Sequence, residues 1–237
     1  MKTAPKIITL LTLFLTMTTA AFAQDISIGL RGGIGLPNVY TTDGIDNLTP
    51  DFKTYTAANI AAVMEIGFGE HFAIQPELAY VGKGFKIAED FAIDLFNVPL
   101  PVGVLAESRF NYLELPVLAK YKFGNESVGA YITAGPTLGY AMSGRLITRA
   151  NALIDFKVSD SKINLDAIDY QRFEVGALVG AGMTVNTSFG QLFADARYAR
   201  GFSELYDIPV VDEKIRNQSI AFNVGFLVPI GGKSIRP

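Results

Sequence analysis

The chain has no cysteine among its 237 residues and a single histidine, His71. Without thiols there is no disulfide framework, no thiolate nucleophile and no cysteine-based metal site. Past residue 23 no apolar run approaches the ~20 residues that a helical membrane span needs, so any passage through a bilayer has to use strands. Basic clusters are missing too. With a formal net charge of −3 and no run of basic residues that resembles a phosphate-binding patch, the sequence argues against nucleic acid as a partner. There is no low-complexity tract and no repeat of solenoid period.

The N-terminus carries Lys2 and Lys6, an apolar run over 7–14, and Ala21-Phe22-Ala23 ahead of Gln24. A charged start, an apolar centre and an A-x-A site predict a signal peptide over 1–23, cleaved after Ala23. Loss of its two lysines takes the net charge from −3 to −5. Residues 24–237 suit one domain.

Within 111–123, Leu113, Leu115, Val117, Ala119, Tyr121 and Phe123 occupy one phase, while Glu114, Lys120 and Lys122 occupy the other. Successive strand side chains point to opposite faces, so this strand has one apolar and one charged side. The pattern recurs over 26–36, 59–68, 72–83, 110–123, 128–141, 172–185, 191–199 and 217–228. Connections between these segments alternate between short (69–71, 124–127, 186–190) and long (37–58, 84–109, 143–171, 200–216). Short periplasmic turns opposite long extracellular loops are the build of outer-membrane barrels. The prediction is all-β: an eight-stranded antiparallel up-and-down transmembrane β-barrel, in the outer membrane of a Gram-negative bacterium. Two loop segments carry expectations of their own: a short amphipathic helix over 88–96, and a hairpin extension over 151–158.

Every charge within the predicted strands falls on one phase: Arg31, Glu65, Glu77, Lys83, Glu114, Lys120, Lys122, Arg172, Glu174, Asp195 and Arg197. The opposite phase (Ile28, Leu30, Ile34, Ile60, Met64, Leu78, Ile132, Val179, Phe222 and Val224 among others) carries none and is assigned to lipid. A charge at the midplane would cost on the order of 2–4 kcal/mol there. An eight-stranded barrel is only wide enough for side chains to fill. Because buried ions need partners, these six bases and five acids are expected to form a near-neutral internal network. Glycines of the same phase, including Gly29, Gly33, Gly135, Gly180 and Gly182, leave room for it. Outward aromatics predict girdles: Phe68, Phe72, Tyr121, Phe123 and Phe226 at the turn end, Tyr80, Tyr140, Phe173 and Tyr198 at the loop end. Pro76, Pro116 and Pro136 fall inside strands, where bulges are expected to absorb the missing donors.

The stretch Asn111-Tyr-Leu-Glu-Leu-Pro-Val-Leu-Ala-Lys-Tyr-Lys-Phe123 resembles the signature of the PorT-like outer-membrane β-barrel family, whose members are similar in size to the OmpX and OmpA barrels. Supporting matches are Gly135-Pro-Thr-Leu-Gly-Tyr140, Asp195-Ala-Arg-Tyr-Ala-Arg-Gly201 and the closing segment over 217–230. The resemblance implies an eight-stranded outer-membrane barrel, and the family's namesake is linked to protein secretion. One departure is the tail over 231–237, which follows the last strand where many barrels end on an aromatic residue.

Catalysis finds little support. His71 falls in a predicted periplasmic turn, across the membrane from loop serines such as Ser143 and Ser203, whereas a serine nucleophile needs its base within ~3 Å. The glycine-rich run 29–35 leads into Pro37 and Asn38 and not into a helix, so a dinucleotide loop is excluded. Asp155, Asp160, Asp166 and Asp169 lack the alternate spacing and the glutamate of a calcium loop. The expectation is a monomeric, non-enzymatic barrel without cofactor or metal. Its partners are outer-membrane lipids and an unidentified protein at the extracellular loops. A narrow pore and an accessory secretion component are the alternatives.

Overall fold

The computed structural model describes residues 25–41, 52–95, 98–125, 127–151, 155–168, 170–205 and 215–230. The predicted signal peptide and the C-terminal tail lie outside them. Ten strands follow in order: β1 (Ile26–Thr41), β2 (Phe52–Lys53), β3 (Ala57–Phe68), β4 (Phe72–Leu95), β5 (Val98–Gly124), β6 (Val128–Asn151), β7 (Asp155–Ile163), β8 (Phe173–Thr187), β9 (Gly190–Gly201) and β10 (Ile215–Ile230). Eight of these close into a ring in the order β4-β3-β1-β10-β9-β8-β6-β5, with β5 returning to β4. All ring pairings are antiparallel, and β1 meets β10 from Ile26↔Ile230 to Thr41↔Ile215. A ring leaves no free edge, so every backbone donor and acceptor at membrane depth can find a partner within the chain.

Alternation sets the two surfaces. Along β3 the inward Ala61, Val63 and Glu65 are buried while the outward Ile60, Met64 and Phe68 are exposed. The outward row continues around the ring through Leu30, Leu78, Leu115, Ile132, Val179, Phe222 and Val224, all exposed and none charged. Exposed apolar area on this scale is untenable in water and matches a hydrocarbon surround.

Pro76, Pro116 and Pro136 end no strand and create no bulge. Instead each opens the ladder toward the preceding strand for two residue pairs without changing register. Pairing of β3 with β4 resumes at Val63↔Glu77 after Ile66↔Ile74, across Pro76. Pairing of β4 with β5 skips from Pro76↔Val117 to Ala79↔Glu114, across Pro116. Pairing of β5 with β6 skips from Pro116↔Thr137 to Ala119↔Ala134, across Pro136. Each proline keeps its ladder on the other side, opposite Val117, Thr137 and Ala177 respectively, so the missing donor opens one seam only. A Cβ on Gly135 would lie 2.1 Å from the Val117 carbonyl oxygen, so glycine is needed where the chains close up beside the Pro136 gap.

The loop side departs further from expectation. At 24, 27 and 24 residues, β4, β5 and β6 are more than twice the ~9–11 residues that cross a bilayer. The segment 88–95 continues β4 and pairs with β5 up to Leu95↔Val98. The predicted helix over 88–96 is therefore replaced by a hairpin arm, because long-range pairing overrides a weak local preference. The expected hairpin over 151–158 is present as the β6–β7 pair, in which Asn151 stands opposite Asp155. β2 pairs with the outer part of β4 and β7 with that of β6, so a small sheet stands above the ring. Gly84, at φ +124°, marks where β4 leaves the ring. A Cβ there would sit 2.0 Å from the Ser108 carbonyl oxygen, so only glycine suits this bend.

Candidate functional site

Among the described residues, buried polar groups concentrate in the lumen, where they occupy three tiers. Nearest the short turns, Lys120 donates to Glu65 at 2.7 Å and to Gln75 at 3.1 Å, and Lys122 reaches the other Glu65 oxygen at 3.0 Å. The Lys120 ammonium also lies 4.0 Å from the Tyr131 ring centroid, a cation–π contact strengthened by desolvation. The Gln75 amide passes the network upward to Glu77 at 2.6 Å.

Glu77 is the hub of the middle tier. Arg31 from β1 donates to it at 2.8 Å and Arg197 from β9 at 2.9 and 3.0 Å. Their side chains are 5%, 0% and 2% exposed for Arg31, Glu77 and Arg197. Arg197 also clamps Asp195 at 2.8 Å, and Asp195 accepts from Tyr131 and Asn223 at 2.8 and 2.7 Å. The second guanidinium nitrogen of Arg31 divides between Asn59 at 2.7 Å and Asn223 at 2.8 Å. A planar five-donor group suits such a multi-partner role, which a lysine could not reproduce.

In the upper tier Lys83 bridges Glu114 and Glu174, and Asn217 donates to Glu174. Above it the polar network stops. Val39, Phe85, Phe110, Tyr112, Ala141, Leu165, Tyr170 and Leu205 form an apolar plug across the loop end. Tyr170 comes from the connection after β7. It stacks on Phe110 with centroids 4.5 Å apart and shares a 2.6 Å hydroxyl contact with Tyr112. Its own segment is pinned by backbone bonds from Tyr170 to Leu165 and from Gln171 to Leu205, both 3.0 Å.

Ten of the eleven predicted charges converge in this lumen. Arg172 does not. It precedes β8, which begins at Phe173, and it pairs with the exposed Asp166 at 2.8 Å outside the ring. That hydrogen bond raises the already high pKa of its guanidinium. Phase alone placed it inward, but a residue one step beyond the strand no longer obeys the pleat. Without it the lumen holds five bases and five acids. Tyr131, Asn59, Gln75, Asn217 and Asn223 are network members that charge counting overlooked, although they share its phase. Outside the ring, buried Glu107 pairs with Arg109 in a segment that had been expected to be a loop.

The other candidates separate as their surroundings dictate. His71 is exposed at the short β3–β4 turn, its Nδ1 3.1 Å from the Lys122 carbonyl oxygen. Ser143 and Ser203 lie at the opposite end, against Asn111 and the Val175 amide. The glycine run 29–35 is part of β1, paired on both sides. Asp160 and Asp166 face Arg145 and Arg172 respectively, not each other.

A closed antiparallel ring with an apolar outer belt and an ion-paired interior defines an outer-membrane β-barrel. The chain belongs to the outer membrane protein beta-barrel domain family, whose profile matches residues 22–207. Among solved structures it is similar to Neisserial surface protein A, at 15% identity over 86% of this chain and 97% of that one, with a TM-score of 0.41. It is also similar to Ail, the attachment invasion locus protein of Yersinia pestis, at 13% identity over 85% and 97%, with a TM-score of 0.40. The outer membrane protease OmpT of Escherichia coli follows at 12% over 87% and 96%, with a TM-score of 0.29. No curated protein matches the chain.

Proposed function

We propose that this outer-membrane barrel is a sealed, non-enzymatic protein that contributes to envelope structure and presents its outer strands to a partner. The observation that carries the reading is the uninterrupted occupation of the lumen, ion pairs through the bilayer and an apolar plug above them. The space left between Arg31, Lys83, Glu114 and Arg197 is about 50 Å³, which suits a few waters and not a conducting column. A pore would need the charges hydrated, whereas here each carboxylate is taken up by a cation or an amide.

Planar-bilayer recordings on the refolded chain should show no steady conductance; a porin-like step would overturn the seal. The motif over 111–123 supports placing the chain in the PorT-like branch. An accessory role in secretion would then appear as a reproducible crosslinked protein partner at the β4–β7 arm. Cleavage after Ala23 and a monomeric state complete the proposal. Intact mass and light scattering of the purified outer-membrane form test both.

A further inference from the structure

The outer face of the arm carries a row of cations that the lumen does not use. Arg109, Arg145 and Lys162 are register partners across β5, β6 and β7. Paired residues of adjacent strands share a face, so the three stand side by side. Next to them a groove of about 440 Å³ is lined by Asn111, Ser143, Arg145, Lys162, Asn164 and Arg172.

Its height is set by the strands. Phe173, the residue after Arg172, is exposed and pairs with Tyr140, the two rings meeting edge-on at 6.2 Å. That outward aromatic pair marks the loop-side membrane interface. At ~3.3 Å per strand residue, the groove opens at the level of the lipid headgroups, not in free solution.

Its cations are only partly neutralised. Arg145 meets Asp160 at 3.1 Å and Arg172 meets a single Asp166 oxygen at 2.8 Å. A guanidinium has five N–H donors, so both keep donors to offer, and Lys162 has no ion-pair partner among the described residues. Two arginines and a lysine around a groove that is also lined by Met142, Ile163 and Leu165 match a phosphate oxygen cluster, which arginine meets bidentately. The described side chains of the opposite rim, such as Asp25, Glu70 and Asn125, form no such row.

We infer that this groove binds the phosphate groups of an outer-leaflet lipid headgroup, fixing the arm to the membrane surface. The inference goes beyond the sealed-barrel reading and does not depend on it.

The test is native mass spectrometry of the full chain in detergent micelles, titrated with bisphosphorylated lipid A, the same lipid stripped of phosphate, and inorganic phosphate. The variant R145Q/K162Q/R172Q should weaken binding of the phosphorylated lipid about tenfold or more, as expected for loss of charge-assisted contacts. Heat-modifiable gel migration should stay at the wild-type position, since all three residues lie outside the ring. K53Q, on β2, should bind normally. The inference is overturned if the triple variant binds like the wild type, if K53Q loses as much, or if the phosphate-free lipid binds equally well. Full competition by inorganic phosphate would reassign the groove to a free anion and overturn the lipid assignment.

Discussion

The lumen and the loop-end plug solve the same packing problem by opposite means. In the lumen the pleat turns every second residue inward, and Glu77 binds Arg31 and Arg197 from strands 46 and 120 residues away. In the plug, apolar side chains from β1, β4, β5 and β6 meet Leu165, Tyr170 and Leu205 from the connections. The first region is rigidly indexed by the pleat. The second depends on chain segments folding back over the ring. Losing a member of the first leaves an unpaired ion, whereas losing a member of the second leaves a cavity.

That contrast orders the expected effects of substitution. Glu77→Ala strands two guanidinium groups in the lumen and should cost about 3–5 kcal/mol, the usual penalty for breaking a buried ion pair. Urea titration of the barrel in lipid vesicles measures it, and an unchanged midpoint would dissolve the distinction between the two regions. Tyr170→Ala removes the stack on Phe110 and should cost about 2–4 kcal/mol, within the range for truncating large buried side chains. Its signature is local: proteolysis within 164–171 should accelerate while conductance stays nil, because the ion pairs beneath are intact. Gly135→Ala forces a methyl toward the Val117 carbonyl and should cost about 1–3 kcal/mol, read as a lowered midpoint with normal heat-modifiable migration. Arg172→Gln should leave the midpoint unmoved, since its pair with Asp166 is open to solvent. A large loss there would return Arg172 to the lumen.

Much of this molecule was legible in its residues, for a physical reason. Period-2 alternation identifies inward positions without any knowledge of partners, so Arg31, Glu65, Glu77, Lys83, Glu114, Lys120, Lys122, Glu174, Asp195 and Arg197 could be placed together. The same counting failed at Arg172 because the strand ends one residue short of it. It failed at 88–96 because alanine, aspartate and glutamate suggest a helix until the matching strand over 98–108 is known. The prolines were misjudged for a related reason. A bulge and a two-pair gap answer the same missing donor, and only the neighbouring strands decide between them. The cations of the outer groove were invisible because Arg145, Lys162 and Arg172 adjoin only once β6, β7 and the connection into β8 are in place.

The alternation of apolar and charged side chains, read along one strand at a time, settled which surface meets lipid and which faces inward. That choice is local, since each peptide's pleat assigns its own side chain. Which cation meets which carboxylate, how the mouth is covered, and where the arm presents its arginines were decided only by closure of the ring. Partners as far apart as Glu77 and Arg197, 120 residues along the chain, come within bonding reach only when the register of all eight strands is satisfied at once.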